Sequence, residues 1–104
     1  MTPNETLRVV PWDRAEPQTT AGIESIFRDE GLFPSRWSNG PGDRYGEHAH
    51  SYHKVLYCAR GSITFVVEGQ DVPMRPGDRL ELPPETRHSA IVGPEGVVCY
   101  EGHR

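Results

Sequence analysis

The stretch GDRYGEHAHSYHKVLYCARG, residues 42–61, decides how the rest of the chain is read. It opens and closes on glycine and holds two runs with strand character, predicted as Arg44–Ala49 and His53–Ala59. Side chains two apart on an extended strand share a face. His48 and His50 therefore point the same way, and the same parity continues through Tyr52, Lys54, Leu56 and Cys58. One face is expected to look into the interior of the protein, carrying two imidazoles, a phenol and an ammonium among apolar neighbours.

Outward from this stretch the pattern is short strands and tight turns. Downstream the predicted strands are Ser62–Val67, Gln70–Met74, Arg79–Leu82, His88–Val92 and Val97–Glu101. The punctuation lies at Arg60-Gly61, Glu68-Gly69, Pro76-Gly77-Asp78, Pro83-Pro84 and Gly93-Pro94. Upstream, Leu7–Val10 reads as a short strand stopped by Pro11. Thr19 and Thr20 are good helix caps, and Ile23, Ile26 and Phe27 share one helical face, which predicts a helix near residues 20–30 closed by Gly31. An extended piece, Leu32–Ser38, follows; Pro34 confines it to a sheet edge, and a turn runs from Ser38 to Asp43. With 104 residues, 11 glycines and 10 prolines, the chain is one turn-rich domain and not a helix bundle. Strands recurring at this spacing indicate an all-β sandwich or small barrel.

Charge excludes some partners. Fifteen acidic residues against 11 basic ones give a net charge of −4, without the basic patch that a nucleic-acid binder needs. No apolar run approaches a membrane span, and the N-terminus lacks the pattern of a signal peptide, so a cytoplasmic protein is expected. Cys58 and Cys99 are then expected as reduced, buried thiols. The basic set is lopsided, with ten arginines and the single lysine Lys54.

The chemistry lies with the histidines. His48 and His50 can grip one ion from adjacent rungs, and His88, near the start of another strand, can complete the set if that strand lies alongside. Gly42, His48, His50 and Gly61 stand at the spacing of the first cupin motif. Gly77, Pro83, Thr86, Arg87 and His88 match the second. Lys54 occupies the position usually held by glutamate, Glu85 a usual glycine, and Val92 a usual asparagine. Over about residues 42–92 the chain resembles a small single-domain cupin. The resemblance implies an all-β fold, a cupin-type antiparallel β-barrel (jelly roll) with one short N-terminal helix. It also implies that His48, His50 and His88 face an internal pocket. The expected organisation is an N-terminal strand and helix extension, residues 1–40, packed on a barrel of residues 41–104. Small cupins commonly pair, which implies a homodimer in which the N-terminal strand adds to a partner's sheet edge.

Lys54 raises the main question of mechanism. A dication about 4 Å from an ammonium meets roughly 8 kcal/mol of repulsion at an effective dielectric near 20. Three outcomes relieve it. Lys54 turns to an acidic partner (Glu81, Glu85 or Glu101), or burial strips its proton, or the site holds no metal and Lys54 grips an anion. The first two suit a divalent transition metal (Fe, Zn, Ni or Mn) on His48, His50 and His88, with Lys54 and Tyr52 as candidate catalytic residues of an oxygenase or isomerase acting on a small organic molecule. The third suits a metal-free module that binds or senses a small anion through Lys54 and the histidines.

The remaining candidates have plainer readings. Parity puts His53 on the opposite face, as a surface or strand-edge histidine paired with a carboxylate, unless a bulge turns it inward to substitute for the missing ligand; His103 reads as a solvated tail residue. Trp37, Phe33, Phe65 and Tyr100 are candidates to line an apolar pocket, Cys58 is read as core, and Arg79 and Arg87 as surface ion pairs or carboxylate binders.

Overall fold

The strand periodicity becomes a single antiparallel sheet rolled on itself. The computed structural model describes residues 8–12 and 18–104. Its elements are β1 (Arg8–Val10), α1 (Thr20–Asp29), β2 (Ser35–Asn39), β3 (Arg44–His48), β4 (Lys54–Val67), β5 (Gln70–Met74), β6 (Arg79–Leu82) and β7 (His88–His103). The main path of the sheet runs β1-β6-β4-β7-β2, with β3 also on β7 and β5 also on β4. This is the expected cupin-type barrel with one short helix.

Two long strands replace the four shorter ones predicted. β4 continues through Arg60-Gly61, and β7 continues through Gly93-Pro94, because irregularities bend these strands without ending their pairing. The extra residue reverses parity. Before the bend Leu56 and Cys58 face the interior, and after it Ile63, Phe65 and Val67 do; on β7, Ala90 and Val92 give way to Val97 and Cys99. The bend has a strict steric condition at Gly61. Its φ is +72°, and a Cβ there would lie 1.9 Å from the Gly96 carbonyl oxygen, so no side chain fits without moving β7.

The interior is filled by this set together with Val72, Met74, Leu80 and Leu82. A second cluster lies on the outer face, where Ile23, Ile26, Phe27 and Leu32 cover Val55, Tyr57, Ala59 and Tyr100. The helix begins as its sequence suggests, with the Thr19 hydroxyl accepting from the Gly22 N–H. Its end consumes residues assigned above to an extended piece. Gly31 takes φ +75°, and the Leu32 N–H returns to the Phe27 carbonyl, so the extended run starts only at Ser35. From there β2 lies at the edge of the sheet, as Pro34 requires.

The N-terminal strand differs from expectation. β1 pairs with β6 of its own chain, Val9 opposite Leu80, and so occupies the edge it was expected to seek on a partner. An edge strand close in space offers its ladder without the entropy of association. Leu7, the first residue of the predicted strand, lies outside the described residues.

Candidate metal centre

β3 delivers His48 at its last residue, opposite His88 at the first residue of β7. The loop after β3 returns His50 to the same spot, held by the Glu85 N–H donating to the His50 carbonyl at 2.7 Å. Glu85 achieves this with φ +62°, a conformation in which glycine is unstrained, which explains the residue usual at that position. The three imidazoles converge. Their ligating nitrogens lie within 4.8 Å of one another, and the ring centroids are 4.3 Å (His48–His88), 4.7 Å (His48–His50) and 5.3 Å (His50–His88) apart.

The hydrogen bonds select a tautomer. His48 Nδ1 lies 2.6 Å from the Gly46 carbonyl and His88 Nδ1 lies 2.9 Å from the Thr86 carbonyl. A carbonyl only accepts, so each Nδ1 carries the hydrogen and each Nε2 presents a lone pair. Nε2 of His50 and of His88 are buried with no hydrogen-bond partner. Burial, joined by the charges of Lys54 and His48, holds both His50 and His88 below the ordinary imidazole range. Three converging imidazoles, two of them held at Nδ1 by backbone carbonyls, are a donor set that suits a transition-metal ion.

The histidines line a cavity of about 270 Å³. Trp37, Tyr45, Phe65 and Ala90 make its apolar wall; Tyr52, Lys54 and Glu101 make its polar side. Tyr52 stacks on His50 (centroids 4.8 Å apart) and on His103 (3.8 Å), and burial raises its phenol above the ordinary range. Lys54 Nζ lies 3.5 Å from Glu101 Oε1. The same oxygen accepts from Trp37 Nε1 at 2.8 Å, and Oε2 meets His103 Nε2 at 2.7 Å. Burial works to raise the Glu101 carboxyl, but His103, Lys54 and Trp37 outweigh it and hold it below the ordinary carboxylate range.

Of the three acidic candidates for Lys54, Glu101 is therefore the partner. Glu81 is taken by His53 (3.0 Å) and Arg79 (3.0 Å) on the outer face, and Glu85 is exposed. His53 thus keeps the place its parity assigns. His103, read as a solvated tail residue, is exposed, but it is not a free tail: β7 runs on to it, opposite Lys54, and its ring stacks on Tyr52. The alternation Cys99, Glu101, His103 was the available signal, and it needed the inward parity of the last strand. Tyr45 also reaches the pocket against parity, because the register of β3 shifts between Tyr45 and His48. Its hydroxyl bonds to Asn39 Oδ1.

Other candidates stand apart from the site. Phe33 is 94% exposed, and Tyr100 packs under the helix. Arg79 binds Glu30 and Glu81, and Arg87 binds Glu47 at the surface. Cys58 and Cys99 are free buried thiols.

Residues 36–100 match the cupin domain family, and with the fold and the histidine cluster the chain belongs to that family. A 62-residue stretch is 42% identical to quercetin 2,3-dioxygenase of Bacillus subtilis, covering 58% of this chain but 18% of that protein. Among solved structures, an RmlC-like cupin from Shewanella frigidimarina superposes with a TM-score of 0.63 at 25% identity, over 69% of this chain and 64% of that one. KdgF from Halomonas superposes with a TM-score of 0.61 at 17% identity, over 99% of this chain and 83% of its own, which shows the common fold. Among the described residues no helix is long and apolar enough to cross a membrane.

Proposed function

We propose that the protein is a metal-dependent enzyme acting on a small organic molecule, an oxygenase or isomerase, with His48, His50 and His88 as the metal ligands. The observation that carries this reading is the pair of buried Nε2 atoms, on His50 and His88, that have no partner of their own. A buried nitrogen without a partner costs about 1–3 kcal/mol. An ion shared with His48 satisfies both atoms at once. Bound there, Fe, Zn, Ni or Mn would supply Lewis-acid or redox chemistry beside the cavity. The resemblance of part of the chain to a quercetin dioxygenase supports the oxygenase half of the proposal.

The chain's own groups divide the remaining work. Trp37, Tyr45 and Phe65 receive the apolar body of a small substrate and exclude water. The Tyr52 phenol, kept protonated by burial, would donate a hydrogen bond to an oxygen of the substrate. Lys54 is the other candidate for handling protons, its position set by Glu101. In this reading residues 41–104 carry every metal ligand, while α1 packs on the outside and β1 and β2 are edge strands of the barrel sheet itself. A cytoplasmic homodimer belongs to the same proposal: the buried thiols suit a reducing compartment, and the outer edge of β2 offers a ladder to a second copy.

The metal-free reading, with Lys54 gripping an anion, is weakened by the Glu101 carboxylate beside the ammonium, which repels the same anion. Metal analysis decides between them. After chelator treatment and reconstitution with Fe, Zn, Ni or Mn, one ion per chain is expected for at least one metal. Less than about 0.1 ion per chain for all four refutes the metal reading.

A further inference from the structure

A lysine beside a cation site needs a reason to be tolerated. Lys54 is only 9% exposed and shares one cavity with His48, His50 and His88, so its charge bears on any ion that the histidines hold. Its long stem leaves it several places to go, and the structure puts the ammonium against Glu101. Glu101, by contrast, is fixed by groups other than Lys54. The Trp37 indole on β2 donates to Oε1 at 2.8 Å, and His103 holds Oε2 at 2.7 Å. The register explains the meeting. Lys54 lies opposite His103, and Glu101 lies opposite Leu56, so the lysine and the carboxylate are diagonal neighbours on the inward face.

Resting on the metal reading above, we infer that Glu101 is a positioning residue for the three-histidine centre: anchored by Trp37 and His103, its carboxylate holds the Lys54 ammonium and offsets its charge, so that a cation can enter beside it. The Lys54–Glu101 pair then adds no net charge to the pocket. Removing either member of the pair unbalances it, in opposite directions for a metal ion.

The test uses Zn²⁺ alone as the probe, with affinity measured by competition against a chromogenic chelator. Glu101→Gln keeps the shape and the Trp37 hydrogen bond but removes the charge, and its affinity is expected to fall at least about tenfold. Lys54→Met is expected to bind at least about threefold tighter than the parent, because Glu101 then stands uncompensated. The double variant restores neutrality and is expected within about threefold of the parent. A merely structural role for Glu101 does not produce that rescue. If the parent binds zinc and Glu101→Gln binds it equally well, this inference alone is overturned. The same holds if the double variant stays as weak as Glu101→Gln. A parent that binds no zinc, iron, nickel or manganese overturns the metal reading and this inference together. Should Glu101→Gln fail to fold, Lys54→Met carries the test, and unchanged or weaker zinc binding by it refutes the inference.

Discussion

Replacing His88 by alanine separates what this side chain does for the fold from what it does for an ion. His88 is 2% exposed, with ring centroids 4.3 Å from His48 and 6.2 Å from Phe65. Its loss leaves a cavity in the barrel, and truncating a buried side chain of this size costs about 2–4 kcal/mol whether or not metal is present. The metal contribution is a separate quantity. Free metal at 100 times its dissociation constant stabilises the folded state by about 2.7 kcal/mol. For a chain of 104 residues, 1 kcal/mol shifts the melting temperature by about 4–8 °C, so the parent protein is expected to gain about 10–20 °C. His88→Ala leaves two imidazoles, and its metal-induced gain is expected to fall below about 3 °C. The assay is thermal unfolding of each protein with and without the metal that reconstitutes the parent, comparing the increments so that the packing cost cancels. His53→Ala is the control, since His53 pairs with Glu81 on the outer face, and it should keep the full increment. An equal increment in His88→Ala and parent would show that the ion sits elsewhere and would refute the reasoning.

Two further predictions concern the scaffold. Gly61→Ala sets a Cβ 1.9 Å from the Gly96 carbonyl oxygen at a φ of +72° and is expected to destabilise by more than about 4 kcal/mol; a loss below about 1 kcal/mol in urea unfolding contradicts the bend described here. Glu30 ties the helix to the barrel through Arg79 (2.6 Å) and Arg104 (2.6 Å), and the Arg79 hydrogen bond leads in holding its carboxyl below the ordinary range. A carboxyl that is lowered on folding stabilises above its unfolded value and loses that contribution as pH falls through its folded one. The gap in urea midpoint between the parent and Glu30→Gln is therefore expected to be full at pH 7 and to close below about pH 4, and a gap independent of pH counts against the pairing.

The barrel and its histidines were legible because both are written in short-range patterns. Parity alone places His48, His50, Tyr52 and Lys54 on the inward face and His53 on the outer one, and the structure keeps all five assignments. Parity failed where a bulge inserts a residue. Nothing local distinguishes Arg60-Gly61 as a bend within one strand from a turn between two, since glycine at positive φ serves either purpose. A separate register shift in β3, between Tyr45 and His48, hides Tyr45, whereas Phe65, a candidate for the pocket wall on residue type, does line it.

The chemistry divides along the same line. Spacing puts His48 and His50 on one face, and the resemblance to the two cupin motifs implies that His88 joins them, which the pairing of β3 with β7 brings about. The neighbour of Lys54 is a different kind of fact. Glu81, Glu85 and Glu101 were equally available in the sequence, and the choice among them waits on which strand lies beside β4 and in what register. β7 brings Glu101 and His103 to the inward face, β2 adds the Trp37 indole, and Glu81 is turned outward to His53 and Arg79. An ion pair depends on a few ångströms of separation, and the pairing of distant strands supplies that distance.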